Sequence, residues 1–158
     1  MAKKEKKARV VEMKNRKAKF HYSFLQEIEA GIMLTGTEIK SIREGEANLK
    51  DAFCVFDHGE LFVKNLFIAE YKFGNQHNHE TRRTRKLLLK KGELKKLEKR
   101  VKEKGFTIVP YRLYLSERGF AKLEVALAQG KKSFDKRESI KEKDNKREMD
   151  RMKKYNAQ

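Results

Sequence analysis

Cysteine, proline and tryptophan are nearly missing from this chain of 158 residues, which contains one Cys, one Pro and no Trp. A lone cysteine, Cys54, cannot form an internal disulfide bond, and its neighbours Phe53 and Val55 indicate a packed strand. One Pro and nine Gly exclude collagen-like and proline-rich low-complexity classes. No apolar run approaches the roughly 20 residues of a membrane-spanning helix, and no apolar stretch follows the basic N-terminus as in a signal peptide. We therefore expect a soluble protein of a reducing compartment.

Positive charge exceeds negative charge, with 40 Lys and Arg against 23 Asp and Glu and a formal net charge of +17. Residues 1–19 carry a net charge of +7 and residues 130–158 carry +5, while the long middle segment also carries only +5. A polyanion is the natural partner of such a chain, and nucleic acid is favoured over an anionic membrane. Basic tails that only aid solubility are the alternative, but a near-neutral middle would be soluble without them.

The apolar pattern predicts short strands with helices inserted between them. Predicted strands cover 32–34, 52–56, 61–63, 66–69, 106–115 and 120–127, and a predicted helix covers 93–104. Thr37 is a candidate N-cap and Gly45 a candidate stop for another helix of one or two turns. Gly59 suits a hairpin turn, and Pro110 marks an edge position or a bulge. This number of short strands favours a mainly β fold built on a small closed barrel over a sandwich.

Three segments differ in composition. Residues 1–13 lack apolar periodicity and are predicted to be disordered, whereas residues 14–129 form the predicted barrel domain. Residues 130–158 are basic and have no apolar stripe, so they cannot bury enough surface to order themselves. Beyond Gly130 this tail has no Pro or Gly and is rich in Lys, Glu and Arg. We expect it to become helical when a partner supplies the missing contacts.

Catalytic constellations are hard to find in this sequence. It has no phosphate-cradling Gly loop and no cysteine pair for zinc, and the order of its residues suggests no Ser-His-Asp arrangement. His77 and His79 could face one side of a strand as metal ligands, which would make the protein a metal nuclease. They lie in a polar loop with only Glu80 nearby, so a solvated loop is favoured. We interpret the protein as a binder and not an enzyme, with no cofactor and no metal.

Basic residues cluster in three places. The first cluster precedes three leucines, the second decorates the predicted helix, and the third opens the tail: Arg82, Arg83, Arg85 and Lys86; Lys95, Lys96, Lys99, Arg100, Lys102 and Lys104; Lys131, Lys132, Lys136 and Arg137. Arginine suits phosphate because its guanidinium group donates to two oxygens at once. The helix cations can equally be a solvated face. Phe134 and Tyr155, among the tail charges, can stack on bases.

Several segments, taken in order, resemble the family of tmRNA-binding small protein B, also called SsrA-binding protein, of bacterial trans-translation. The matching stretches are Asn15-Arg16-Lys17-Ala18, Glu29-Ala30-Gly31, Gly36-Thr37-Glu38-Ile39-Lys40-Ser41, Gly45-Glu46-Ala47-Asn48-Leu49, Arg85-Lys86-Leu87-Leu88-Leu89, and the tail from Gly130-Lys131-Lys132 through Asp135-Lys136-Arg137 to Ile140-Lys141-Glu142. Each stretch is weak alone, but the ordered set from residue 15 to about residue 150 is highly specific.

The resemblance implies an oligonucleotide-binding-type β-barrel with flanking helices and a tail that is disordered in the free protein. It implies binding to the tRNA-like domain of tmRNA and delivery to the empty A site of a stalled ribosome. The tail then folds as a helix in the vacant mRNA channel. The implied partners are tmRNA, small-subunit ribosomal RNA at the decoding centre and mRNA channel, and elongation factor Tu indirectly through tmRNA. A cytoplasmic monomer with no membrane partner is expected.

Site residues follow from the resemblance and the basic clusters together. Glu29 and Leu88 match family positions important for tmRNA binding, while Lys90 stands where the family can carry Asn and Gln129 where it often has Lys. The full set expected to bind tmRNA is Asn15, Tyr22, Glu29, Lys40, Arg43, Arg85, Lys86, Leu88 and Lys90. The set expected to act in the ribosome is Lys131, Lys132, Phe134, Asp135, Lys136, Arg137, Lys141, Arg151 and Met152. Phe134 matches a position that stacks on a decoding-centre base, and Asp135-Lys136-Arg137 matches the motif needed for tagging.

A general single-strand-binding module of the oligonucleotide-binding class is the second hypothesis. The two hypotheses are distinguished by comparing the affinity for a folded tRNA-like RNA with the affinity for an unstructured strand, because only the tmRNA-binding hypothesis requires the folded RNA. RNA cleavage in the presence of a divalent metal would favour the nuclease hypothesis instead.

Overall fold

Strands and helices alternate along the computed structural model of the protein, which describes residues 10–103 and 105–157. The elements are β1 (Glu12–Lys14), α1 (Ala18–His21), β2 (Tyr22–Ile32), α2 (Gly36–Arg43), β3 (Ala47–Asn48), β4 (Phe53–Asp57), β5 (Glu60–Lys64), β6 (Phe67–Ile68), β7 (Arg85–Leu88), α3 (Lys91–Lys102), β8 (Phe106–Leu115), β9 (Ala121–Gly130) and α4 (Ser133–Asn156). A single 3-10 turn, Asn75–His77, lies between β6 and β7. The predicted disorder of residues 1–9 and the predicted helix end at Lys104 fall outside the described residues.

Seven strands form one sheet in the order β1-β8-β9-β2-β7-β5-β4, and β3 pairs with β6 separately. The antiparallel pair β2 and β9 occupies the centre, with Tyr22 opposite Gly130 at one end. Successive side chains of a strand point to opposite faces, so Ala30 and Ile32 are buried on one face, whereas Glu29 on the other face is exposed and Gly31 is half-buried. The fold is therefore mainly sheet with helices, as the sequence predicts.

The closed barrel expected from the sequence is not found in residues 10–103 and 105–157. No ladder joins β1 to β4, which stand at the two ends of the strand order. The sheet is bent all the same, because β4 contacts β8. Leu61 and Val63 of β5 belong to one buried core with Leu113 of β8 and Leu123 of β9. The bend covers one face of the sheet and leaves part of the other face, here called the outer face, in solvent.

Two turn predictions are confirmed. The β4–β5 hairpin turns at His58 and Gly59, whose φ angles of 49° and 76° are both positive. That pair of angles gives a two-residue turn whose twist matches the flanking strands. The β8–β9 register shifts between Pro110 and Arg112. Pro110 therefore lies at a bulge, where its missing N–H is tolerated.

The N-terminal boundary needs a correction. Residues up to 13 are predicted to be disordered, yet β1 pairs with β8 and places Met13 opposite Leu113. Val11 and Met13 pack against the core. Two apolar side chains are enough to order β1 because β8 supplies its backbone hydrogen-bond partners. These partners lie about 100 residues away and are not visible in a local stretch of sequence.

Other element boundaries also shift. The strand expected at 32–34 is misplaced, because β2 runs from Tyr22 to Ile32 and shares only Ile32 with it. The exposed Glu27 and Glu29 interrupt the apolar pattern of β2, so the pattern did not predict this strand. Helix α2 is capped by Thr35 and not by Thr37, and β7 (Arg85–Leu88) lies where the sequence pattern predicts no strand. Gly45, with a φ of 79°, follows α2 as expected.

The tail forms helix α4, and no residue of this helix is buried. Its 24 residues span about 36 Å at 1.5 Å per residue. It is tethered at its start, where Lys131 donates its N–H to the His21 carbonyl at 2.9 Å and its Nζ to Ser139 Oγ at 3.0 Å. Hydrophobic packing therefore adds almost nothing to the stability of α4.

Candidate RNA-binding surface

Glu29, Gly31, Leu88 and Tyr114 form one group on the outer face, which we call the outer-face cluster. Leu88 of β7 lies opposite Gly31 of β2 and is 50% exposed. A Cβ atom on Gly31 would lie 3.2 Å from the Leu88 Cβ, so glycine permits the close approach of these side chains. Glu29 is exposed two residues before Gly31. The structure thus brings together the two residues that the resemblance marks most strongly.

Tyr114 of β8 holds Glu29 in place. Its hydroxyl donates a hydrogen bond to Glu29 Oε2 across the intervening strand β9. This hydrogen bond, with some help from burial, raises the pKa of Tyr114 to about 12. Tyr114 is therefore a protonated donor at neutral pH. Among the described residues, Glu29 Oε1 accepts no hydrogen bond and faces solvent as an acceptor.

An ionic row lies beside the outer-face cluster. Arg112 donates to Glu12 of β1 and, at 2.8 Å, to Glu124 of β9. Its guanidinium carbon also lies 4.3 Å from the centre of the Tyr114 ring. The Arg112 hydrogen bond lowers the pKa of Glu12. Lys14 also pairs with Glu12, at 3.4 Å, so two cations balance two carboxylates and this part of the face is close to neutral.

The segment before β7 is fastened to α2 by a buried ion pair. Glu38 accepts hydrogen bonds from Arg83 at 2.9 Å and from Arg85 at 2.7 Å, and Glu38 and Arg85 are both fully buried. Burial by itself would raise the pKa of Glu38, but hydrogen bonds from Arg83, the Thr35 N–H and Arg85 lower it to about 2. We call Glu38, Arg83 and Arg85 the α2 clamp.

Arg85 is consequently not a surface cation, which corrects its expected place in the RNA-contacting set. Besides Glu38, its guanidinium group donates to the Leu66 carbonyl at 2.7 Å and the Thr81 carbonyl at 3.3 Å. A side chain with no exposed surface cannot reach a phosphate, so Arg85 acts by holding β7. The next residue, Lys86, is half-buried and forms an ion pair with Glu60 at 3.6 Å.

The other expected cations near β7 are at the surface. Lys40 and Arg43 of α2 are exposed, and Lys40 Nζ lies 5.4 Å from the centre of the Tyr71 ring. Lys90 is exposed at the start of α3, where its N–H donates to Glu93 Oε2 at 3.2 Å. These three side chains are available to phosphates.

Asn15 and Tyr22 lie elsewhere and serve the fold. The Asn15 N–H donates to the Tyr111 carbonyl at 2.8 Å, and its side-chain amide reaches the Leu49 carbonyl at 3.4 Å. Tyr22 is half-buried against Ala18. Seven residues separate Tyr22 from Glu29 along β2, which is about 23 Å at 3.3 Å per residue. The structure does not bring these two positions to the outer-face cluster.

The tail residues expected to act in the ribosome are almost all exposed on α4 or just before it. Phe134 is 67% exposed and Met152 is 59% exposed. Asp135 lies in the first turn of α4, where a negative charge is favourable. The remaining cations of the set lie along the same helix or at its start: Lys131, Lys132, Lys136, Arg137, Lys141 and Arg151. Lys131 and Lys136 are the half-buried members.

The two histidines of the nuclease hypothesis do not form a metal site. His79 is buried, with Nδ1 2.9 Å from Thr37 Oγ1 and Nε2 3.0 Å from the Ile68 carbonyl oxygen, so both of its ring nitrogens are engaged. His77 is exposed in the 3-10 turn. Across the described ranges no three His, Cys, Asp or Glu side chains meet as metal ligands would.

Sequence reasoning missed the β8 and β9 contribution to the outer face. Tyr114 donates to Glu29, Glu124 lies opposite Glu29 and is held by Arg112, and Lys122 lies opposite both Gly31 and Tyr114. The signal was present in the alternation of Arg112 and Tyr114 with buried Leu113. Their pairing with β2 through β9 was not visible from local spacing. Within the described segments, no helix combines the length and the apolar character needed to cross a membrane.

Comparison with known proteins identifies relatives along nearly the whole chain. The model of the family described as SmpB protein matches residues 12–155. An SsrA-binding protein of Phocaeicola vulgatus is 61% identical over 142 residues, which cover 90% of this chain and 95% of that protein. An SsrA-binding protein of Desulforamulus reducens is 50% identical over 137 residues, covering 87% and 85% respectively.

A solved structure is also similar. A chain from a structure described as "tmRNA-SmpB: a journey to the center of the bacterial ribosome" has 48% sequence identity and a TM-score of 0.65, over 78% of this chain and 85% of that chain. The family match includes the outer-face cluster, the α2 clamp and all but the last residue of α4. On these grounds the chain belongs to the SmpB protein family.

Proposed function

We propose that this protein binds the tRNA-like domain of tmRNA, delivers it to the A site of stalled ribosomes, and uses its tail to probe the empty mRNA channel and decoding centre. The main support for this proposal is the family match over residues 12–155, which includes both the sheet and the tail. The 48% identical chain from a tmRNA-SmpB structure supports the same partners. Elongation factor Tu enters only indirectly, through tmRNA.

The outer-face cluster is the proposed centre of the tmRNA site. A carboxylate next to RNA is repelled by phosphate unless it accepts hydrogen bonds from a base amino group or a ribose hydroxyl. Tyr114 fixes Glu29 through Oε2 and leaves Oε1 for that purpose. Leu88 offers apolar contact area beside it. Lys86, Lys90 and Lys122 supply positive charge for the surrounding phosphates.

The tail is the proposed ribosome-contacting part. Helix α4 carries nine basic and six acidic side chains and buries none of them. A helix without a packed face is marginal in water even at this length. We therefore propose that the segment after Gly130, which the structure shows as helix over Ser133–Asn156, is largely disordered in the free protein and is held as that helix where ribosomal RNA neutralises one face. Phe134 would stack on a base, and Lys136 and Arg137 would hold phosphates.

We further propose that the bent sheet acts as an oligonucleotide-binding-type barrel of a cytoplasmic, monomeric, non-enzymatic protein. The contact between β4 and β8 supports the barrel. Burial raises the pKa of the Cys54 thiol far above its usual range, so this thiol is unreactive, which agrees with a non-enzymatic role.

The test is competitive binding of the full chain to the tRNA-like domain of tmRNA and to an unstructured RNA strand of equal length. We expect at least a hundredfold preference for the folded RNA. Equal affinities would favour the single-strand-binding module instead. Cleavage of either RNA on addition of a divalent metal would contradict the non-enzymatic role.

A further inference from the structure

The loop between β6 and β7 presents two aromatic rings at the surface. Phe73 is 75% exposed, and its ring meets the Tyr71 ring edge to face with centroids 5.6 Å apart. A single exposed apolar residue needs no explanation. Here the ring belongs to an ordered pair, and Lys40 Nζ of α2 lies 5.4 Å from the Tyr71 ring centre. The pair therefore forms a small aromatic surface with a cation at its side.

This loop is held in one conformation by its own hydrogen bonds. Asn78 accepts from the Tyr71 N–H at 2.9 Å and donates to the Tyr71 carbonyl at 2.8 Å. The Gly74 N–H donates to the same carbonyl at 2.9 Å. A Cβ atom on Gly74 would lie 2.8 Å from Asn78 Nδ2, so a side chain there would displace the Asn78 amide from its hydrogen bonds with Tyr71. The exposed rings are thus preorganised, and a ligand that stacks on them meets little ordering cost.

Lys40 is the cation that contacts the aromatic pair; Lys72 and the carboxylate of Glu70 flank Tyr71 in the loop, and Arg43 lies one turn along α2 from Lys40. Lys40 and Arg43 of α2 and Lys72 of the loop are exposed, and none forms an ion pair within the described part of the chain. An apolar protein partner would not need a cation on the Tyr71 ring. An unstacked nucleotide needs both features, because its base stacks on an aromatic face and its phosphates pair with Lys or Arg.

We propose that Tyr71 and Phe73 form a base-stacking site for an unpaired RNA nucleotide, with Phe73 against the base and Lys40 against the flanking phosphate. Tyr71 supports the Phe73 ring from its edge. The site lies on the β6–β7 loop and is separate from the outer-face cluster. It rests on the proposed function, since the RNA that supplies the base is the tRNA-like domain of tmRNA.

The absence of tryptophan provides a direct test. Phe73→Trp places the one Trp of the chain at the site, and titration with the tRNA-like domain should quench the Trp emission as the complex forms. Phe53→Trp is the matched control, because Phe53 is 45% exposed at the start of β4 and belongs to no proposed contact. Its emission should stay unchanged over the same titration.

Affinity gives a second readout on the full chain. Phe73→Ala should weaken binding to the tRNA-like domain by between about fivefold and a hundredfold, while Phe53→Ala should not. Lys40→Ala should reduce the slope of log affinity against log salt by about 0.7 to 0.9, one phosphate contact. Unchanged affinity of Phe73→Ala, or unquenched Phe73→Trp in a complex that forms, would overturn the stacking site alone. Failure of the unsubstituted chain to bind the RNA would overturn the proposed function as well.

Discussion

Loss of one charge in the α2 clamp should destabilise the whole sheet. Glu38→Gln keeps the size of the side chain but leaves the Arg85 guanidinium buried without its carboxylate. Removing one partner of a buried ion pair costs about 3–5 kcal/mol. The depressed pKa of Glu38, about 2 against 4.5 in an unfolded chain, leads to a similar figure, since 1.36 kcal/mol per pKa unit makes about 3 kcal/mol.

Chemical denaturation and thermal melting measure this cost. For a chain of this size, a loss of about 3 kcal/mol lowers the melting temperature by about 6–12 °C. Glu60→Gln is the matched control, because Glu60 pairs with Lys86 at the surface at 3.6 Å. Such exposed pairs contribute about 1 kcal/mol or less. If Glu38→Gln were no more costly than Glu60→Gln, the clamp would not hold β7 as argued.

The same clamp predicts a pH dependence of known sign. Because the pKa of Glu38 is lower in the folded than in the unfolded state, its contribution is complete above pH 4.5 and is lost as the pH falls towards 2. The unsubstituted protein should lose about 3 kcal/mol of unfolding free energy over this interval that Glu38→Gln does not lose. Parallel stability curves for the two proteins would contradict the assignment.

The remaining predictions concern RNA binding. Tyr114→Phe should weaken tmRNA binding by about tenfold, because one hydrogen bond to a charged group is lost. Glu29→Gln should also weaken tmRNA binding, although the protein becomes more positive. Filter binding measures both affinities, and tighter binding by Glu29→Gln would mean that net charge alone decides affinity. Truncation after Gly130 should leave tmRNA affinity within about tenfold of the full chain's, about 1.4 kcal/mol, because α4 contributes no buried residue to the sheet. A hundredfold loss in a gel-shift assay would place the tail in the tmRNA site.

Local chemistry made part of the fold predictable. The turn at His58 and Gly59, the stop at Gly45 and the bulge at Pro110 each depend on backbone properties of one or two residues. Helix α3 was visible because Leu94 and Leu97 recur at helical spacing. Such features need no knowledge of distant partners.

Long-range pairing explains what the sequence did not reveal. Strand β1 is ordered only because β8 lies beside it, and β2 was hidden by solvent-facing Glu27 and Glu29. In the site, Arg85 looked like one of several surface cations, and only its burial against Glu38 distinguishes it. Tyr114 reaches Glu29 across 85 residues of sequence. No local pattern carries that information.

The central claim is that the sheet binds tmRNA while the tail acts in the ribosome. The direct measurement uses one variant, Asp135→Ala with Lys136→Ala and Arg137→Ala, and determines both its tmRNA affinity and its peptide tagging on stalled ribosomes. All three side chains lie in the first turns of α4 and none is buried, so folding of the sheet should be unaffected. We predict that tagging is abolished while tmRNA affinity stays nearly unchanged. Normal tagging, or lost tmRNA binding, would contradict this division between sheet and tail.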